Sequence, residues 1–421
     1  MNDQWYSSLY TGIFREFGPI PPRPHDPDVA ICAGRIGSGL TAERDLAVGG
    51  AGWTASSAEA ACVGEAVERL LVERGARDQM VTTSYSAWPL AEPAIAPDRW
   101  VLFHPEQYAQ PDFPFRPFTS ETVCDWVAYR ELPSGRACWV PDEFHLLFRH
   151  AGEPHRIGPS LSTGLACGPT ADEALLRGLQ EVIERDAFVG AWWGSYSPER
   201  YEPEAVFAML GEPLQRRVRR PNLEYRFFRI ATPYSAHTTI VTLEGEDREG
   251  YCFSIGAACR ESRVASWQKS LLEAIQGRHY VRYLKTRLGQ PDGPRLNQMT
   301  DFADHAVYYS EYPERLRETV LARADPVESA NPVEPAGVLG DTSSENARVL
   351  MERLGMDRPV LFRNVTPSSI AEQISGWVVV RVLVPGLQPL HGNHHLPFLG
   401  GSLWAPRGLA EWGRSPPHPF P

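Results

Sequence analysis

Apolar and small residues recur at helical spacing in three long segments of the chain. The first follows a glycine-rich stretch, "VGGAGWTASS" at residues 48–57, which reads as a turn. It predicts a helix from about Ser57 to Arg74. The second is predicted from about Thr170 to Val189. Thr170 with Glu173 three residues on is a capping-box signature at its start. The third is predicted from about Arg263 to Leu288. Between the first two, short β-type runs such as "RWVLF" (99–103) and "CDWVAY" (124–129) alternate with proline and glycine. Strand-like runs follow the second helix: "LEYRFFRI", "HTTIVTLEG" and "YCFSIGAAC". Near the end, "GWVVVRVLV" reads as a core strand, with Arg381 and then Pro385 breaking the apolar run. Residues 18–29 are a proline-rich entry segment. Residues 290–346 are polar and proline-rich, and read as a surface elaboration with short helical pieces. Helices separated by groups of strands predict a mixed α/β (α+β) fold in one unit, 1–421.

Two helices carry the same arrangement. "VGEAVERLLV" and "LQEVIERDAF" each place two glutamates three apart and follow the second with arginine. With Glu65 at zero on a helix of about 3.6 residues per turn, Glu68 falls about 60° to one side and Arg69 about 40° to the other. Their neighbours Ala58, Ala61 and Cys62 are small, and Val63, Val67 and Leu70 lie opposite. A helix this apolar is expected to be buried, and buried carboxylates need cations or donors. The second helix repeats the geometry with Glu181, Glu184 and Arg185, and Glu173 lies eight residues earlier on the same side. On the third, Lys269, Glu273 and Gln276 share an arc with Ser266 beside them. A solvated face remains an open reading of the second helix alone. Taken together, the three predict a convergent carboxylate site suited to a hard cation such as Mg²⁺, which usually comes with substrate phosphates. The arginines would suit phosphate oxygens. No G-x-x-x-x-G-K-[ST] loop or kinase signature is present, so a common nucleotide fold is not indicated.

Composition narrows the field. A net charge of −11 argues against nucleic acid and anionic membranes as general partners. No apolar run is long enough to span a bilayer, and "MNDQWYSSLYTG" has no secretory or transit character. Seven cysteines without a C-x-x-C pair predict core thiols in a reducing cytoplasm rather than zinc ligands or disulfides.

Several blocks, in order, resemble the YcaO family. They are "GGAGWTASSAEAACVGEAVERL", "STGLACGPTADEALLRGLQEVIERDAFVGAWW", "SLLEAIQGRHYVR", "DFADHAVYYSEYPERL" and "VVVRVLVPGLQPLHGNHHLPFLGG". The likeness runs from about residue 30 to the C-terminus. It implies strands packed with long helices around an ATP and Mg²⁺ site that has no P-loop. The unit then divides into a lead-in (1–29), a nucleotide-binding core (30–290), the polar elaboration (291–346) and a C-terminal strand region with proline tail (347–421). Carried over residue by residue, Glu65, Glu68, Glu181, Glu184 and Glu273 would hold metal. Arg69, Glu173, Arg185, Lys269 and Gln276 would contact nucleotide or support those that do. Two positions depart from the family pattern. Gly50-Ala51-Gly52 stands where G-K-G is frequent, and Ala61 where serine is frequent.

Pro417, His418, Pro419 and Pro421 match the P-x-P-x-P end of azoline-forming members, which implies a catalytic role for the tail. Proline stiffness predicts an extended segment. With Phe420 as its one large apolar residue, its removal is expected to spare the fold. The resemblance then implies ATP-dependent cyclodehydration of a precursor peptide. A Cys, Ser or Thr side chain attacks the preceding amide, whose oxygen is phosphorylated and leaves as phosphate. His418 or the terminal carboxylate is a candidate general base, while His391, His394 and His395 read as core or loop histidines. A separate leader-peptide-binding partner is expected, because the family-like region begins almost at once. A homodimer is left open. Relatives that form thioamides or amidine rings generally lack the proline tail. A non-catalytic scaffold is the other alternative, and peptide-dependent nucleotide turnover separates it from an enzyme.

Overall fold

The computed structural model describes residues 13–37, 45–74, 80–145, 147, 156–235, 237–289, 294–327, 340–356, 358–366, 376–404 and 407–421. In chain order the N-terminal elements are β1 (Phe14–Pro19), β2 (Ala30–Gly37), β3 (Asp45–Gly52), α1 (Ala55–Arg74), β4 (Met80–Thr83), α2 (Pro105–Tyr108), β5 (Cys124–Leu132) and β6 (Ala137–Pro141). The central part comprises β7 (Leu165–Gly168), α3 (Ala171–Trp192), β8 (Pro198–Tyr201), α4 (Pro203–Leu210), α5 (Glu212–Val218), β9 (Glu224–Ile230), β10 (Thr238–Asp247), β11 (Gly250–Cys259) and α6 (Arg263–Leu288). Then come α7 (Phe302–Glu311), β12 (Asp325–Pro326), α8 (Ser343–Leu354), β13 (Val360–Asn364) and β14 (Val378–Leu383).

The strands form three sheets: β1-β2-β3, β11-β10-β9-β8-β12, and β4-β5-β13-β14-β7 with β6 on β5. Pairing is antiparallel except between β8 and β12. Each long helix covers a different sheet: α1 lies on β3, α6 on β11 and β10, and α3 on β14 and β7 while also reaching β11. Two glycines permit the closest approaches. A Cβ at Gly50 would collide with the α1 backbone at Ala58 and Cys62, and one at Gly256 with the α6 backbone at Ser270 and Ala274.

The three helices lie where their periodicity predicts them. Thr170 caps α3, accepting from the Glu173 N–H at 3.2 Å, and its hydroxyl donates to the Glu173 carboxylate (3.3 Å) rather than the carboxylate reaching back to the cap's own N–H.

Four expectations change. The glycine-rich stretch from Val48 is not a turn, because β3 continues to Gly52 and its Gly50 and Gly52 seat α1. "RWVLF" forms no strand. Pro97–Arg99 is a single 3₁₀ turn, and the Leu102 carbonyl accepts from the Gly400 N–H outside any sheet. Helix α1 is apolar on one side only, since its first turn and Ala61 are exposed. Finally, 290–346 is not all surface. Within it α7 packs on β11 and α6, burying His305 through Ser310. Its polar flanks hide this apolar segment when composition is averaged over the region. Residues 290–293 and 328–339 lie outside the described residues.

Candidate active site

The site is built around α3. Glu181 and Glu184, one turn apart, face α1 on one side and α6 on the other. Glu65, Glu68, Glu181 and Glu184 are each anchored by a backbone N–H from a strand or the residue beside one. Gly49 of β3 donates to Glu65 at 2.8 Å, and Cys167 of β7 donates to Glu68 at 2.7 Å. Gly164 donates to Glu181 and Cys259 to Glu184, both at 3.2 Å. Three sheets therefore aim their amide donors into the space between the three helices. These bonds leave most carboxylate lone pairs unspent.

Cations are few and partly committed. Arg69 forks onto Glu65 at 2.5 and 3.1 Å. Lys269 pairs with Glu273 at 3.1 Å. Arg185 lies 3.9 Å from Glu181 and 3.7 Å from Glu184, beyond hydrogen-bonding distance of either.

Burial and mutual repulsion then push the carboxyls up. Glu68 is raised to about 8, first by burial and then by the charge of Glu181. Glu184 is raised to about 7 by burial and by Glu273, against the pull of Arg185 and Arg260. Glu181 is raised by burial and again by Glu273. Burial works against the charge on Arg185, but Glu184, Glu181 and Glu273 outweigh it and hold the guanidinium above its usual range. Several acids close enough to raise one another are the donor set a hard divalent cation takes.

The structure thus brings together Glu65, Glu68, Arg69, Glu181, Glu184, Arg185, Lys269 and Glu273. Gln276 reaches β3, where its amide lies 2.9 Å from the Cβ position of Gly49. Glu173 stands apart at the α3 cap, about 12 Å along the axis from Glu181 at 1.5 Å per residue. Ala51 is buried in the apolar cluster of Ile31 and Ile275, and Ala61 is exposed.

Sequence reasoning missed Arg381. Fully buried on β14, it donates to the carbonyls of Ser162 (3.0 Å), Phe144 (3.1 Å) and Leu161, fixing the loop that carries Gly164 to Glu181. Its positive charge also bears on Glu181. An arginine inside "VVVRVLV" was the available signal. Arg260, which follows Cys259 at the end of β11, was likewise missed.

The tail approaches α3 one turn beyond Glu184. Phe420 packs on Phe188 with ring centroids 3.9 Å apart, and Trp192 donates to the Pro416 carbonyl at 2.8 Å. Tyr309 donates to the Pro417 carbonyl at 2.7 Å. Pro417 to Phe420 are buried and Pro421 is exposed. The expectation that the tail is dispensable for folding is therefore reversed. The base role for His418 also loses its footing. Its Nε2–H donates to the His391 carbonyl at 2.7 Å and its Nδ1 accepts from the Phe420 N–H at 3.3 Å, so neither nitrogen is left for a proton from substrate. Of the other histidines, His391 and His394 are core residues and His395 is an exposed loop residue.

Known proteins agree with this architecture. The profile of the YcaO cyclodehydratases, described as ATP- and Mg²⁺-binding, matches residues 49–388. The chain belongs to the YcaO family, whose members bind ATP and Mg²⁺. A heterocyclase solved with substrate and cofactor is similar over 91% of the chain, with TM-score 0.71 and 19% identity, and the chain spans 51% of its length. The YcaO protein from Methanopyrus kandleri bound with AMPPCP and Mg²⁺ is 19% identical, with TM-score 0.59 over 89% of this chain and 85% of its own. In the E. coli microcin synthetase McbBCD complex with pro-MccB17 bound, one chain is 16% identical, with TM-score 0.64 over 99% of both. No curated protein matched the sequence. Among the described residues no helix is long and apolar enough to cross a membrane.

Proposed function

We propose that this chain is an ATP-dependent peptide cyclodehydratase, converting Cys, Ser or Thr of a ribosomally made precursor to an azoline. One observation carries the reading: Glu68, Glu181, Glu184 and Glu273 converge from three helices, close enough that their charges help raise Glu68, Glu181 and Glu184, with Arg185 between two of them and hydrogen-bonded to neither. The carboxylates, with Glu65, would hold Mg²⁺, and Arg185, Arg69, Lys269 and Gln276 would face the phosphates. Mg²⁺ supplies charge neutralisation at a transferring phosphoryl group.

The chain's own residues prepare for this. The N–H groups of Gly164, Cys167 and Cys259 orient the carboxylates before any ligand arrives. Arg381 fixes the Gly164 loop from behind. Protons held on Glu68 and Glu184 near neutrality are released when a cation takes their place. The amide oxygen of the precursor leaves as phosphate, and the attacking thiol or hydroxyl closes the ring.

A separate protein that delivers the precursor's leader segment belongs to the same reading. The likeness to a chain of the E. coli microcin synthetase McbBCD complex, solved with pro-MccB17 bound, supports it. Incubating the chain with ATP, Mg²⁺, a Cys/Ser/Thr-rich precursor and its leader-binding partner should give peptide lighter by one water per ring and one phosphate per ring. Phosphate release without any mass change in the peptide would reject the assignment.

A further inference from the structure

A second cluster of ionisable side chains lies outside the carboxylate site, between α7 and the C-terminal segment. His305, His391 and His394 are all buried, and each presents a ligand-capable atom within 4.8 Å of the others. His391 and His394 form an H-x-x-H pair in "HGNHH", and His305 comes from α7.

Their hydrogen bonding leaves nitrogens with nothing to do. His305 Nδ1 faces the His418 carbonyl at 2.7 Å. A carbonyl only accepts, so Nδ1 carries the proton and Nε2 keeps its lone pair. That Nε2 is buried without a partner, as are both ring nitrogens of His391 and Nδ1 of His394. Four orphaned imidazole nitrogens in one place cost more than an apolar core of the same volume would. The flanking contacts look like the outer support of a metal site. His305 is fixed in tautomer by a carbonyl, as ligating histidines usually are. The His394 backbone is held at both ends, its N–H donating to the Met299 carbonyl (3.1 Å) and its carbonyl accepting from Trp412 Nε1 (3.2 Å).

We propose that His305, His391 and His394 form a binding site for a divalent transition-metal ion of the Zn²⁺ class. Neutral imidazole suits Zn²⁺, Cu²⁺ and Ni²⁺ and not Mg²⁺, so the two clusters select different ions. Zn–N bonds of about 2.0–2.1 Å place tetrahedral ligands about 3.3 Å apart, so the rings close in by small rotations from their present spacing. The site ties α7 to the C-terminal segment, and through the bond from His305 to the His418 carbonyl it sets the position of the tail against Phe188. Its role is to hold the tail beside the carboxylate site, not to take part in phosphoryl chemistry.

The test uses the full chain stripped of metal with EDTA and titrated with Co²⁺ in excess Mg²⁺, which occupies oxygen-donor sites. The expected result is visible absorption of four-coordinate Co²⁺ saturating at one equivalent and bleached by Zn²⁺. Zn²⁺ should raise the melting temperature of the wild type. His394→Gln, the least buried of the three positions, should weaken Co²⁺ binding by at least about tenfold, while Glu184→Gln leaves it unchanged. If the histidine variant does not fold, X-ray absorption of the Zn²⁺-loaded wild type decides, and three imidazole shells are expected. No saturable visible band, a band lost in Glu184→Gln but kept in His394→Gln, or an oxygen-dominated zinc shell would overturn the site. The histidines would then be neutral core packing.

Discussion

Helices α1 and α3 carry the same E-x-x-E-R arrangement, and the structure uses it in two ways. On α1 the arginine closes back on its own helix: Arg69 is bonded to Glu65, and both side chains are about one-third exposed. On α3 the arginine is held between Glu181 and Glu184 and bonded to neither, and Glu184 is only 7% exposed. The difference comes from what covers each helix. Helix α1 lies at the edge, on a three-stranded sheet, with its first turn in solvent. Helix α3 is covered by β7, β14, α8 and β11. Burial thus turns an ordinary i, i+4 ion pair into a cation shared among raised carboxyls, hydrogen-bonded to neither neighbour. The same five-residue pattern reads as support on one helix and as the centre of the site on the other.

The strongest way to break this contrast is Glu184→Gln. It is nearly isosteric and removes one charge from a crowded set, so the fold should hold, while peptide-dependent phosphate release falls by about 100-fold or more. Wild-type turnover would move the centre of the site elsewhere. Next, Arg185→Gln should destabilise the protein by about 3 kcal/mol in thermal or denaturant unfolding, because it leaves buried carboxylates without their cation.

The pH dependence sharpens the same point. Glu68 and Glu184 have folded-state values raised to about 8 and about 7 from 4.5, so the folded protein binds more protons than the unfolded chain between these values. Their contribution to stability is therefore full below about pH 4.5 and is lost as pH rises towards 7 and 8. In EDTA the melting temperature should fall across that window. Added Mg²⁺, or Glu68→Gln, should flatten the fall, and a slope unchanged by either would show that other groups set it. The smallest effect is expected for Arg69→Gln. A pair exposed by about one-third and open to solvent screening contributes about 0.2–1 kcal/mol, so stability should barely change and turnover should drop only a few-fold.

The carboxylate site was legible because its chemistry repeats at fixed spacing within helices, where 3.6-residue periodicity turns sequence directly into a face. The helices themselves were legible for the same reason. What escaped depends on contacts between distant segments. Gly50 and Gly52 look like parts of a turn until α1 is seen to need their missing side chains, and Gly49 until Gln276 of α6 is seen to crowd it. Arg381 looks like an interruption until the carbonyls of Phe144, Leu161 and Ser162 close around it. His305 joins His391 and His394 across more than 80 residues of chain, and no local pattern announces that meeting. The polar character of 290–346 was real, but six residues of α7 inside it, His305 through Ser310, belong to the core.

The way residues 416–420 are threaded has a consequence for how the chain acquires its structure. Their bonds and ring contacts reach Trp192, 224 positions earlier, Tyr309, 108 positions earlier, and Phe188. Contacts of such long range are slow to form, because the loop they close must be ordered before it is rewarded. On a ribosome emitting the N-terminal side first, Phe188, Trp192 and Tyr309 emerge long before the segment that covers them. Until then they form an uncovered aromatic surface beside the nascent carboxylate site. Completion of this core is thus a late, all-or-none event, and a chain stalled before it would be a natural client for chaperones and proteases.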